Sequence, residues 1–276
     1  MHRELRRCCV VLIPLAVSLF LVSCSMGPTA PQKGTPEFYW QAARETFSTA
    51  DYMKALDHLE QISRSENAFV SKAQPWKLIL ASGIAKGFMD LADNYEYGAR
   101  ANKTNPTPFR RRVNDYRTMA GRVCMSYVET WRKFKEMNKD PEIPLSFPFP
   151  TGSSGQVAAL NKVANGIFIP EAEQEGAQKR SMERNVLLAT SKSTGSGDDT
   201  AKARGLFQAG EAKVPRATFV MAMANSLYDQ AQLFGGMKMD RPDQFKLFCN
   251  EALDALKGIP ETKETKALTA KIPVSY

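Results

Sequence analysis

The sequence predicts an all-α body, on three observations. Apolar residues recur at steps of three and four in every long segment, the spacing of one helix face. Thirteen prolines follow residue 35 and fall between those segments, where a missing N–H and a fixed φ do least harm. No stretch keeps a convincing two-residue alternation. The nearest is 143–150 (IPLSFPFP), whose prolines a central strand would not accept.

Length and composition bound the rest. The 276 residues allow one large domain or two ordinary ones, and 43% apolar with 24% charged residues is globular composition. Two histidines (His2, His58) and five cysteines (8, 9, 24, 124, 249) exclude His-rich metal clusters and a disulfide-dense scaffold.

The chain starts basic, with Arg3, Arg6 and Arg7 against Glu4, and continues into an uncharged run over 8–22. A 15-residue helix spans about 22 Å, short of the ~30 Å hydrocarbon core. A basic start, a short apolar run and a small residue behind it form a secretory signal, 1–23. Leu21-Val22-Ser23-Cys24 resembles the lipobox of bacterial lipoproteins. That resemblance implies cleavage before Cys24, lipidation of its thiol and a body held at a membrane of the cell envelope. Ser25 in place of Asp implies sorting to the outer membrane, facing the periplasm. An uncleaved anchor and a plain signal are the alternatives. Residues 24–35, with two Gly and two Pro around no apolar pattern, read as a flexible tether. Cleavage would leave 34 basic and 28 acidic residues, a net +6. Cys124 and Cys249, within helical patterns, read as buried free thiols.

Helical region 36–138 opens with Tyr39, Ala42 and Ala43, then Ala50-Asp51-Tyr52, Ala55, Leu59 and Ile62. This resembles a tetratricopeptide repeat, strongest over 51–56 (DYMKAL). A second frame 37 residues later carries Trp76, Ile79, Gly87, Ala92 and Ala99, close to the family's 34-residue period. Leu80 and Gly83 depart from the family pattern. The resemblance covers 36–106 and implies a helical-repeat body, an α-solenoid; an ordinary α-α bundle is the rival.

Residues 107–137 read as one long helix or two nearly collinear ones. Phe109, Val113, Tyr116, Ala120, Val123, Tyr127, Trp131 and Phe134 form a seam within about 40° of one line. Eight basic residues, including Arg110, Arg111, Arg112, Arg117 and Arg122, against three acidic ones give this segment a net +5. Those five arginines are the candidate partner-binding residues, suited to an acidic protein or anionic lipid. A solvated helix face is the simpler reading. Export argues against nucleic acid despite the pI of 9.2.

The Pro/Gly/Ser stretch 139–155 reads as a surface loop or a boundary between helical halves. A second helical region, 156–276, follows, with helices at 156–165, 170–190, 200–209, 216–234 and 242–256. The last two could form another divergent repeat. Residues 261–271 resemble a terminal cap.

No catalytic motif of the GxSxG, HExxH, CxxC or GK[ST] kind occurs in the sequence, so no catalytic residue, metal ligand or cofactor is expected. His58 lies on an apolar helix face. Glu171 and Glu175, at i and i+4 behind Pro170, suit the N-terminal end of a helix as well as an acid/base pair. Residues 151–155 (TGSSG) could cradle an anion but also suit a linker.

Two functional expectations follow. One is a membrane-tethered scaffold or adaptor that binds another envelope protein. The other comes from resemblance to the accessory T component of periplasmic-binding-protein-dependent (TRAP-type) solute transporters, which would require an enclosed, aromatic-lined pocket.

Overall fold

A computed structural model describes residues 31–208 and 210–273. The signal segment 1–23 and the lipidation candidate Cys24 lie outside the described residues. Among these there are ten helices: α1 (Pro36–Ser48), α2 (Tyr52–Ile62), α3 (Val70–Ala101), α4 (Thr107–Met137), α5 (Ala158–Ala164), α6 (Glu171–Ser193), α7 (Thr200–Gly205), α8 (Arg216–Phe234), α9 (Pro242–Lys257) and α10 (Lys263–Lys271). One two-stranded sheet joins β1 (Glu142–Leu145) to β2 (Ala212–Pro215). The protein is all-α.

Local chemistry sets the helix ends. Thr35 Oγ1 accepts from Phe38 N and caps α1, with Pro36 at the first helical position. Asp51 caps α2 through Lys54 N. Thr262 and Thr265 close a reciprocal capping box on α10.

α3 is the axis of the body, packed by α2, α4, α5, α6 and α8. A helix covered on nearly all sides must be apolar nearly all round, and Trp76, Ile79, Leu80, Ile84, Phe88, Leu91 and Tyr95 are all buried. α4 returns along it and buries the expected seam, with only Val123 half-buried.

Helical pairs recur: α1 with α2, α3 with α4, and α8 with α9, the last through Phe234 stacked on Phe248 at 5.2 Å. The first repeat frame therefore folds as the expected pair. The second frame lies on one uninterrupted helix, α3, so its halves do not fold back on each other. Gly83 and Gly87 do mark a close helix crossing, but the partner is α6, a hundred residues later. A Cβ on Gly83 would lie 2.5 Å from Val186 Cα, and one on Gly87 would lie 3.2 Å from Met182 Cα.

Three local expectations need correction. Pro75 lies inside α3 instead of at a boundary. It falls in the second turn, and the carbonyl it leaves unbonded belongs to Ser71, which is exposed to water. The prolines of 143–150 do not prevent a strand. Arg216 N donates to Pro141 O, so by antiparallel alternation Ile143/Val214 and Leu145/Ala212 are the hydrogen-bonded pairs. Pro144 and Pro215 then point their N–H-less sides to the outer edges, where proline is tolerated. The stretch 139–155 is not a surface loop throughout. Phe147 is fully buried at 4.9 Å from Trp40, 5.0 Å from Phe47 and 5.1 Å from Trp76. It acts as an internal strap under α1 and α3.

Candidate functional site

A cleft of about 980 Å³ opens between α3, α6 and α8. Close approach at Gly83 and Gly87 brings α6 onto α3, and α8 packs against both helices. The cleft floor is polar. Ser82 Oγ on α3 and Ser226 Oγ on α8 lie 2.7 Å apart, and Gln230 Nε2 donates to Ser226 Oγ at 2.9 Å. Gln230 is buried, and its Oε1 has no hydrogen-bond partner among the described residues. A buried acceptor without a partner costs about 1–3 kcal/mol.

The wall carries charges in a linked set. Lys86 Nζ bonds Asp90 at 2.6 Å, Asn185 Nδ2 donates to the other Asp90 oxygen at 3.0 Å, and Arg184 lies 3.5 Å from it. Burial works against the charge of Lys86, but Asp90, Asp229 and Asp93 outweigh it and its pKa is raised. Displaced water raises the pKa of Asp229, with Lys86 and Lys192 pulling the other way. Asp229 has no ion-pair partner among the described residues, although its side chain lines the cleft.

Sequence reasoning did not single out these residues, yet one signal for them exists. Ser82, Lys86 and Asp90 fall at i, i+4 and i+8 on a helix otherwise apolar almost all round. Ser226 and Gln230 repeat that step on α8. A polar line through a buried helix marks a wet surface inside the body.

The five candidate arginines separate. Arg117 is only 13% exposed: it pairs with Glu96 at 2.5 Å, and its Nη1 donates to Lys238 O at 3.2 Å. It therefore braces α4 against α3 and the loop after α8. Arg112 lies 3.8 Å from Asp115, a loose surface pair. Arg110, Arg111 and Arg122 are exposed with no ion-pair partner among the described residues. Arg110 and Arg117 line a second groove of about 700 Å³ with Arg100 and Lys103, at the corner between α3 and α4. Farther along α4, Arg132 and Lys135 are held by Glu251 and Asp254 of α9.

The remaining candidates lie away from the cleft floor. His58 is half-buried with its ring 6.1 Å from that of Tyr39. Glu171 and Glu175 are exposed in the first turns of α6. Residues 151–155 are exposed, and their carbonyls hold neighbours: Thr151 O accepts from Tyr52 and Ser154 O from Arg184. Cys124 and Cys249 are buried and unbridged; burial raises both thiol pKa values, that of Cys249 to about 11. Among the described residues, no three His, Cys, Asp or Glu side chains are placed to hold a metal ion, and no helix is long and apolar enough to cross a membrane.

Comparison with protein-family models, curated proteins and solved structures finds no match for this chain.

Proposed function

We propose that this chain is a lipid-tethered helical scaffold of the bacterial cell envelope whose α3–α6–α8 cleft receives a segment of a partner protein. The character of the cleft carries this reading. It is lined by Ser, Asn, Gln and charged side chains, several of them solvent-exposed, interleaved with Met89, Leu188, Met221 and Met223, and no aromatic side chain is among its described lining residues. The body's large aromatic residues are spent on packing instead, as in the Trp40–Phe47–Trp76–Phe147 cluster. A polypeptide segment suits such a surface, because its backbone N–H and C=O groups supply donors and acceptors along their length. The half-buried Ser82–Ser226 pair and the exposed Asn225 amide are the groups to receive them. The lipobox at 21–24 supports a tether through Cys24 and, with Ser25, a periplasm-facing position at the outer membrane. Several acyl chains, each contributing ~0.8 kcal/mol per buried CH₂, hold such a body stably at a bilayer.

The test is gentle purification of the lipidated protein from native envelope, read by native mass spectrometry. A stoichiometric protein companion supports the scaffold. A retained small molecule, or a periplasmic solute-binding protein as the companion, replaces it with the transport reading. Cys24→Ala should release the body from membranes with its helical content unchanged; continued membrane retention would remove the tether.

A further inference from the structure

The corner between α3 and α4 combines two features that the cleft does not use. The first is cationic. Lys103, Arg110 and Arg111 are exposed and have no ion-pair partner among the described residues. Arg110 closes the first turn of α4, which holds no acidic residue, and Arg111 follows it. Cations at a helix N-terminus oppose its dipole, so this arrangement is unfavourable until an anion arrives. The nearby Glu96 does not supply that anion, because Arg100 and Arg117 already hold it.

The second feature is apolar. The turn between α5 and α6 presents Ile167, 57% exposed, and Phe168, 40% exposed. It is fastened to the same corner: Asn102 Nδ2 donates to Gly166 O at 3.0 Å, and the Phe168 ring meets that of Phe109 at 5.1 Å. Tyr97, 56% exposed, lies one helical turn before Ala101, whose Cβ abuts Gly166. An acidic protein segment would be met by the cations alone. Apolar side chains projecting beside them match the bilayer interface, where apolar groups enter the acyl boundary and cations meet headgroup phosphates.

We infer that this corner is a docking surface for anionic lipid, with Ile167 and Phe168 entering the interface while Lys103, Arg110 and Arg111 hold headgroup phosphates. The inference rests on the tether reading only in that the tether keeps the body near a bilayer. Residues 24–35 reach at most about 40 Å, whereas α3 is about 48 Å long and α1 packs near its other end.

The test uses the full lipidated chain in vesicles of phosphatidylcholine alone, or with roughly 30% phosphatidylglycerol. A fluorophore on Ile167→Cys reports quenching by brominated lipid, and one on Lys72→Cys, exposed near the start of α3, serves as control. The expected result is quenching at 167 only in the anionic vesicles. It should be lost in about 0.5 M salt, and the affinity for the anionic surface should fall by at least about thirtyfold in Arg110→Glu with Arg111→Glu. No quenching, equal quenching in both vesicles, or equal quenching at 72 would overturn the docking surface. So would protection of position 167 by an acidic protein with no dependence on lipid. Flotation with neutral vesicles separately reports the acyl tether, so failure of the tether and failure of the corner are distinguishable.

Discussion

Replacing Gly83 by alanine sets two effects of opposite sign against each other. In a helix interior the change should stabilise by about 1 kcal/mol, because alanine loses less backbone freedom on folding. Here the added Cβ lies 2.5 Å from Val186 Cα and 2.7 Å from Val186 N, both backbone atoms that cannot rotate away. Carbon contacts settle near 3.5–4.0 Å, so α6 must withdraw from α3 by about 1 Å at the crossing. Overpacking of this kind costs about 1–3 kcal/mol and occasionally more. The sum is a net destabilisation of up to about 2 kcal/mol, or a fall in Tm of up to about 4–8 °C for a body of this size. Gly176→Ala on α6 is the paired control, since its Cβ would meet only the flexible end of Arg180 at 3.5 Å. It should stabilise by about 0.5–1 kcal/mol. Gly87→Ala, at 3.2 Å from Met182 Cα, should fall between them. Urea unfolding of the three variants decides the matter. If Gly83→Ala proved as stable as Gly176→Ala, the α3–α6 crossing that shapes the cleft would be wrong.

Phe147→Ala removes a fully buried ring from among three aromatic partners and should cost about 3–5 kcal/mol in urea unfolding; a cost under about 1 kcal/mol would show that the strap is not internal. Asp229 has a raised folded pKa, so the folded state holds its proton more tightly and stability falls as pH rises from the unfolded value through the folded one. Asp229→Asn should therefore raise Tm at neutral pH and have little effect near pH 3, and a loss of Tm at neutral pH would reverse that sign. Cys124 and Cys249 should resist thiol reagents at pH 8 until the chain is unfolded, because burial raises both pKa values and closes access. Rapid labelling of either in the native protein would contradict their burial.

Much of this fold is legible in the sequence, for local reasons. α4 follows from its seam of Phe109 to Phe134, since helical periodicity is written in adjacent turns. The α1–α2 pair follows from small residues at close crossings, of which Ala55 is fully buried. What escapes is long-range. Gly83 and Gly87 announce a crossing but not its partner, and a repeat frame supplied a partner too near in sequence. β1 and β2 are four residues each and lie about 70 positions apart, so neither shows alternation long enough to read. Phe147 lies in a proline-rich stretch whose composition resembles a loop, although its apolar side chains are drawn inward. The cleft is hidden for the same reason, because Ser82 and Ser226 meet across 144 positions. Their i, i+4 polar lines were visible in the sequence, but not the fact that they face each other. Arg117 shows the converse: its charge placed it with its exposed neighbours, while its position beside Glu96 made it a brace.

In the proposed scaffold the α3–α6–α8 cleft holds a partner polypeptide at the envelope. Photo-crosslinking in native cells tests it most directly, with the crosslinking residue at Ala222 on the cleft wall and, for comparison, at exposed Lys246 on α9. The account predicts one recurrent protein adduct from position 222 and none from 246, with the adduct lost in Cys24→Ala. Absence of any protein adduct at 222, or the same adducts at both positions, would contradict it.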